Sequence, residues 1–250
     1  YESLKSARNL KKTLGFKKMP FAICCDAYNL PFKTGSIPFI FCFQTLHHFP
    51  DPKPILSEIK RVLTPGGYFY CNEEPIKQMF NLNLWRRDYH LRWFEKAMKT
   101  IGLLHFVSRI GKSETDHAIL EEEFSLDTWE KALSIFSDVD ANLIIFPFGF
   151  SINRKKTKKI GWIKPSILQQ IVLGILGGGI EAVCQTTNSK KYYASSNIFD
   201  HLACPNCPNK SSLIQKEDKN LFCSTCKSSF KNRDQVYTLL TKKQENIMYS

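Results

Sequence analysis

The stretch Phe21-Ala-Ile-Cys-Cys-Asp26-Ala-Tyr-Asn-Leu-Pro-Phe32 decides how this chain is read. Its apolar run, Phe21 to Cys25, ends on a carboxylate, and turn chemistry follows at Leu30-Pro31. A short unbroken apolar run bounded in this way suits a strand buried on both faces, as in parallel sheets. Working outward, Ile37 to Phe43 is a second such run, separated from the first by Thr34-Gly35-Ser36. Pro52 to Leu63 sets Ile55, Leu56, Ile59, Val62 and Leu63 on one stripe, which predicts an amphipathic helix. Pro65-Gly66-Gly67 then stops that helix and starts a strand from Tyr68 to Cys71. Strand, helix, strand is the repeating unit of an open doubly wound α/β sheet.

Farther from this centre, Glu2 to Leu14 predicts an amphipathic helix through Leu4, Ala7, Leu10 and Leu14. A polar and aromatic helical region from Ile76 to about Gly102 interrupts the strand alternation, at a place suited to a substrate lid. Within it Trp85, Arg86, Arg87, Tyr89, His90, Arg92, Trp93 and Phe94 interleave cation and ring. That pattern suits either a grip on a phosphorylated or aromatic acceptor or the snorkelling face of an ordinary helix. Next come a helix over Asp127 to Phe136, capped by Ser125 or Asp127, and a strand over Asn142 to Phe148. Arg154 to Lys159 is a basic loop, Pro165 to Ile175 a helix, Ile180 to Thr187 a last strand, and Thr186 to Ser196 a polar linker.

At 250 residues and 43% hydrophobic, the chain can bury one real core and carry one small extra module. The net charge of +12 favours an anionic partner such as nucleic acid, a phosphorylated substrate or acidic lipid. The most apolar stretch, Ile171 to Ile180, is broken by glycines and falls short of the roughly 20 residues a membrane-spanning helix needs, so no membrane span is expected. Cys24, Cys25, Cys42 and Cys71 sit in apolar strand-like runs and read as buried free thiols, which implies a reducing, cytoplasmic setting.

The remaining strong signal is metal spacing. Cys204-Pro205-Asn206-Cys207 and Cys223-Ser224-Thr225-Cys226 are two Cys-x-x-Cys knuckles with fifteen residues between them, a zinc-ribbon pattern. Two tight turns that each present a pair of thiolates complete a closed tetrahedral shell, so the metal is structural; iron in the same sulfur cage is the alternative. Pro208 and Lys227 follow the knuckles, whereas haem attachment needs a histidine there. Leu202, Leu213, Leu221, Phe222 and Leu239 are the expected small core of a module that metal binding must help to fold.

The run Asp26 to Phe32, followed by Thr45-Leu-His-His-Phe-Pro-Asp51 and Thr64-Pro-Gly-Gly67, resembles the central third of a class I S-adenosylmethionine-dependent methyltransferase of the small-molecule and quinone-modifying type. The likeness covers Glu2 to Glu74 well. It implies that Asp26 accepts from the exocyclic amine of adenine, that Ala27 offers its amide to the ring, and that Leu30 and Phe32 wall the pocket. Gln44 to His47, with Gln44 and His47 as cofactor-side candidates, would lie at the carboxyl end of the next strand, where open parallel sheets bind ligands. From their adjacency on a turn, His47 and His48 read as packing or hydrogen-bonding groups, and Glu73 and Glu74 as solvated charge; no catalytic base is named.

The departures are equally specific. Pro38 stands where the family usually has an acidic residue and would remove a ladder donor, so the strand begins after it or an interaction is lost. The first strand, its glycine-rich loop and the ribose-binding acid are not among these residues; the 250-residue stretch alone is therefore expected to have open sheet edges, to hold the cofactor weakly and to give no measurable methyl transfer. The segment Leu202 to Leu240 resembles the small zinc-ribbon activator of tRNA and ribosomal methyltransferases, with Asn232-Arg233-Asp234-Gln235 in place of the usual aspartate-glycine turn. A fused ribbon would support the catalytic domain by adding apolar surface or a strand.

The expected architecture is thus α/β: a partial doubly wound Rossmann-like methyltransferase sheet lacking its first strands over residues 1–195, and a C-terminal zinc ribbon over 199–242. The expected function is S-adenosylmethionine-dependent methyl transfer to an unidentified acceptor, with S-adenosylmethionine and zinc as cofactors. The alternative is a noncatalytic basic protein that uses the ribbon and Arg154 to Lys159 to engage RNA.

Overall fold

A computed structural model describes residues 3–6, 15, 20–77, 93–100, 124–145, 150–157, 161–162, 166–176, 178–187 and 195–249. Two compact units divide the chain: residues 1–40, 57–68 and 186–250 form the first, and 41–56 with 69–185 the second. The ribbon residues therefore share a unit with the front of the chain.

The apolar run after Pro20 forms β1 (Ala22–Cys25), and Ile37–Phe43 forms β2. Between β2 and the long strand β3 (Leu63–Ile76) lies helix α1 (Pro52–Val62). Its first turn carries Pro52 and Pro54, where a missing N–H costs nothing, and its last turn carries Lys60 and Arg61, which complement the helix dipole. The predicted stripe is its buried face: Ile55, Leu56, Ile59 and Val62 are all at most 3% exposed. At the head of β3, Gly66 adopts φ 76°. A Cβ on Gly67 would lie 2.8 to 3.0 Å from Thr64 and the Pro38 carbonyl, so this turn admits only glycine.

One sheet has the strand order β2-β3-β7-β4-β5-β6, with β4 (Asp138–Ile145), β5 (Phe150–Thr157), β6 (Gly161–Trp162) and β7 (Gly178–Gln185). The β4 strand alternates strictly, burying Val139, Ala141, Leu143 and Ile145, and pairs antiparallel with both β5 and β7. Pro38 sits inside β2, exposed, and β2 is an edge strand, where a missing donor is tolerated. Helices α2 (Trp93–Thr100), α3 (Leu126–Leu133) and α4 (Ile167–Leu176) complete this part of the chain. Ser125 caps α3, its side chain accepting from the Thr128 amide at 3.1 Å, and Trp129 on that helix is fully buried and donates to the Pro75 carbonyl at 2.9 Å.

Three expectations change. The helical region expected from Ile76 to about Gly102 begins later: Ile76 closes β3, residues 78–92 lie outside the described residues, and Trp93–Thr100 is the helix α2. The basic loop from Arg154 is instead strand β5 through Thr157. Arg154 is buried with its guanidinium on Glu130, Lys155 pairs with Asp140 at 3.3 Å, and Lys156 donates to the Ser134 carbonyl at 3.0 Å. These cations answer internal acceptors because the strand register carries them onto α3 and β4. Phe222 is outside the ribbon core cluster and lies under the Lys216 ammonium, 4.4 Å from the ring centroid.

In the first unit β1 does not enter the large sheet. It pairs in parallel with β12 (Val236–Leu239), in register from Ala22 with Val236 to Cys25 with Leu239, and β12 pairs antiparallel with β11 (Asn232–Arg233). Strands β8 (Leu213–Gln215), β9 (Leu221–Cys223) and β10 (Ser229–Phe230) form a second small antiparallel sheet. Leu202, Leu213, Leu221, Phe230, Tyr237 and Leu239 make the core here, with Ile23, Cys25 and Phe32 packed against it. The chain ends in helix α5 (Lys242–Tyr249). Backbone donors of a buried strand need partners, and the last ribbon strand supplies them to β1. Among the described residues no helix is long and apolar enough to cross a membrane.

Candidate functional site

In the first unit the loop from Asp26 to Phe32 follows β1 directly. Asp26 accepts from the Tyr28 amide at 2.9 Å through Oδ1, and its Oδ2 accepts from the Gln244 side chain on α5. Ala27 lies in the turn that these bonds close. The Leu30 carbonyl takes Arg61 Nη2 at 3.0 Å, and the Phe32 carbonyl takes Arg61 Nη1 at 2.9 Å. Arg61 also donates to Thr34 at 3.2 Å and, bidentately, to Glu58 at 2.7 Å. Those contacts occupy all five guanidinium donors, so Arg61 acts as a clamp on the loop with nothing left for solvent or ligand.

Residues His201 to Lys210, around the first cysteine knuckle, hold the same loop from their own side. The Asn29 amide donates to the Pro205 carbonyl at 3.0 Å, and Lys210 donates to Asn29 Oδ1 and to the Leu30 carbonyl. Backbone bonds join Lys33 to His201 and Ala203 to Pro31, each at 2.9 Å, and Phe32 forms an antiparallel bridge with Leu202. Phe32 thus packs on the ribbon core. Sequence reading missed Arg61 and Lys210; the only hint of the first was its i,i+3 spacing from Glu58.

The cysteines of the two knuckles converge. The sulfurs of Cys204, Cys207, Cys223 and Cys226 all lie within 4.8 Å of one another, with Cys204 to Cys226 at 3.5 Å and Cys207 to Cys223 at 3.6 Å. Zinc–sulfur bonds of ~2.3 Å in a tetrahedron set the sulfurs ~3.8 Å apart, so the donor set fits such an ion. The Ser228 hydroxyl lies 3.1 Å from Cys226, and that bond chiefly draws the thiol down to about 6. Cys24, Cys71 and Cys184 are buried free thiols, and burial pushes Cys25 up to about 12 and Cys42 up to about 11. Such thiols are inert.

In the second unit the carboxyl ends of β2 and β3 meet. The Ser36 amide donates to the Val62 carbonyl at 2.8 Å and the Gln44 amide to the Asn72 carbonyl at 3.1 Å, so the partners advance together along both strands, as in a parallel pair. Glu74, taken from sequence as solvated charge, is completely buried. One of its oxygens accepts from the amides of Thr45 and Leu46 at 2.8 and 2.9 Å; the other accepts from the His47 amide at 3.1 Å and meets His47 Nδ1 at 2.9 Å. The carboxylate therefore caps the 3-10 turn Leu46–His48 and orients a histidine ring. Burial pushes Glu74 upward, yet the His47 ring and the Leu46 and Thr45 amides outweigh it and hold the group below its ordinary value. Gln44 and Glu73 both carry positive φ, at 45° and 58°, and are bonded to each other at 2.9 Å. Left-handed backbone at non-glycine residues marks strain of the kind that gathers at ligand sites. Of the residues singled out from sequence, Asp26, Ala27 and Leu30 belong to the first unit, and Gln44 and His47 to the second.

Residues 1–71 match the family model of the methyltransferase domain. The matched stretch holds the Asp26 loop, Arg61 and the Gln44 to His47 turn, and stops short of Glu74 and the four knuckle cysteines. A demethylmenaquinone methyltransferase of Staphylococcus haemolyticus is 30% identical over 122 residues, covering 48% of this chain and 46% of that protein. An uncharacterized methyltransferase of Schizosaccharomyces pombe is 36% identical over 73 residues, 28% of this chain and 26% of the other. The chain spans less than half the length of these curated relatives. Among solved structures, an S-adenosylmethionine-dependent methyltransferase from Methanosarcina mazei overlays 66% of each chain at 19% identity and a TM-score of 0.33, too loosely to bear on the site.

Proposed function

We propose that these residues serve S-adenosylmethionine-dependent methyl transfer to an acceptor not yet identified, and that the Cys204, Cys207, Cys223 and Cys226 cage holds a structural zinc ion. The observation that carries the first part is the coincidence of the methyltransferase-domain match with a loop whose Leu30 and Phe32 carbonyls both accept from Arg61. A loop fixed at that cost in polar contacts is suited to present fixed groups to a ligand. Asp26 has given two bonds to the protein, and a carboxylate has lone-pair capacity beyond two, which fits an adenine amine as a third partner. Ala27 and Leu30, in the same unit as Asp26, are proposed to complete the nucleoside side. When bound, the cofactor supplies an activated methyl group on a sulfonium; the protein's task is alignment and exclusion of water.

Ahead of Asp26 the only glycine is Gly15, so the glycine-rich loop for the far end of the cofactor is not within these 250 residues. We propose that a glycine-rich segment outside these residues completes the cofactor site. Calorimetric titration with S-adenosylmethionine tests both points, using the 250-residue chain and, as the extended chain, the full product of its gene. The short chain should give no tight binding and the extended one a saturable isotherm. Tight binding by the short chain, or no binding by the extended one, overturns the proposal.

The ribbon reading rests on the four converging thiols and on the strand that β12 lends to β1. Metal analysis should return one zinc per chain, and Cys204→Ser or Cys226→Ser should lower metal content and melting temperature together. Undiminished zinc in those variants would show that the cage is misassigned.

A further inference from the structure

His47 is more than a packed side chain. Glu74 is ionised and accepts only, so His47 Nδ1 carries the proton of their 2.9 Å bond and the lone pair resides on Nε2. No described residue hydrogen-bonds Nε2, whereas the carboxylate that orients the ring is wholly buried and fixed by three amides. A histidine oriented by a buried carboxylate, with its other nitrogen left open, is the arrangement of a general base. Its position, at the carboxyl ends of the parallel strands β2 and β3 beside two strained residues, is where open sheets receive ligands. The His48 ring lies against it, tilted by 45° with centroids 4.2 Å apart, and limits the ring's swing.

We infer that His47 is the proton acceptor of the methyl transfer and Glu74 its positioning residue, and that the acceptor substrate is one that must surrender a proton, such as a phenolic or enolic hydroxyl. This rests on the methyl-transfer reading and adds to it the acceptor class. As the acceptor oxygen bonds to the methyl carbon, the carbon–sulfur bond breaks and its electron pair stays on sulfur, yielding the neutral thioether. The hydroxyl proton passes to His47 Nε2, so the positive charge of the sulfonium ends on the imidazolium. An acceptor without a proton to lose, such as a thioether or tertiary amine, would make this histidine unnecessary.

The test has two arms. In the 250-residue chain labelled with ¹⁵N-histidine, NMR should find His47 protonated on Nδ1 and bare on Nε2 above neutral pH, and Glu74→Gln should erase that preference. A ring protonated on Nε2, or a preference unchanged by Glu74→Gln, overturns the assignment. In the extended chain, His47→Ala should lower turnover with a phenolic acceptor by about 10²–10⁴-fold while leaving S-adenosylhomocysteine affinity within about twofold, and added imidazole should restore part of the rate. His47→Gln, closer in size, should show the same loss if the alanine variant folds poorly. Turnover within threefold of wild type in both variants sinks the base alone. A wild-type extended chain that transfers no methyl group to any acceptor sinks the methyl-transfer reading, and the base with it.

Discussion

Glu74 is the residue on which the strand-end turn depends. Replacing it with alanine would strand three amides, that of Leu46 buried, and a histidine, a loss of about 3–5 kcal/mol for removing one partner of a buried charged cluster. Chemical denaturation of Glu74→Ala measures this directly. The pH dependence has a definite sign. The folded-state value of Glu74 is depressed, so its contribution is fully present above the ordinary carboxyl value of ~4.3 and is lost as pH falls through the lower folded value. Acid titration of the unfolding midpoint should therefore show a decline below roughly pH 4.3 that is shallower in Glu74→Gln. A second residue-scale case is the turn between β11 and β12, where Asp234 and Gln235 both hold positive φ, at 51° and 61°. Glycine suits that geometry without a Cβ penalty, and Gln235→Gly should raise stability by roughly 0.5–1 kcal/mol, read as a higher melting temperature.

At the scale of elements, the pairing of β1 with β12 would carry the proposed metal binding to the loop that follows β1. The cage holds the ribbon strands, β12 holds Ala22 to Cys25, and Lys210 and Pro205 hold Asn29 and Leu30. Chelating zinc should then raise amide exchange at residues 22–33 as well as within the ribbon, because a strand without its partner exchanges from a local opening. Lys210→Ala should raise exchange at Asn29 and Leu30 with metal content unchanged. Exchange confined to residues 202–240 after chelation would show that the front of the chain does not depend on the ribbon. The strand β1 also shows what periodicity alone could tell. Its apolar run was legible as a buried strand, but its partner, more than 200 residues away, was not, since nothing in Ala22 to Cys25 names Val236 to Leu239.

For the whole molecule, α1, β2 and β3 each continue from one unit into the other, so loss of structure in one should be felt in the other through the chain itself. Of the tryptophans, Trp93, Trp129 and Trp162 lie in the second unit. Zinc chelation should nonetheless lower the melting midpoint reported by tryptophan emission. An unchanged midpoint would show that the units unfold independently. The charge of +12 remains available for an anionic partner, but the run first read as a basic loop contributes less of it to the surface than its composition implied, since Arg154 is buried against Glu130.

Residue order by itself determined what depends on local periodicity and spacing. The stripe of α1, the Ser125 cap and the two Cys-x-x-Cys knuckles are statements about neighbours a few positions apart, and side-chain direction follows from them directly. Only the tertiary structure decided which distant groups meet. Burial turned Glu74 from surface charge into the anchor of His47, register put Arg154 against α3, and the ribbon edge claimed β1. The physical reason is that a buried donor, carboxylate or strand edge must find a partner somewhere in the fold, and the identity of that partner is a property of chain topology that no short window of sequence contains.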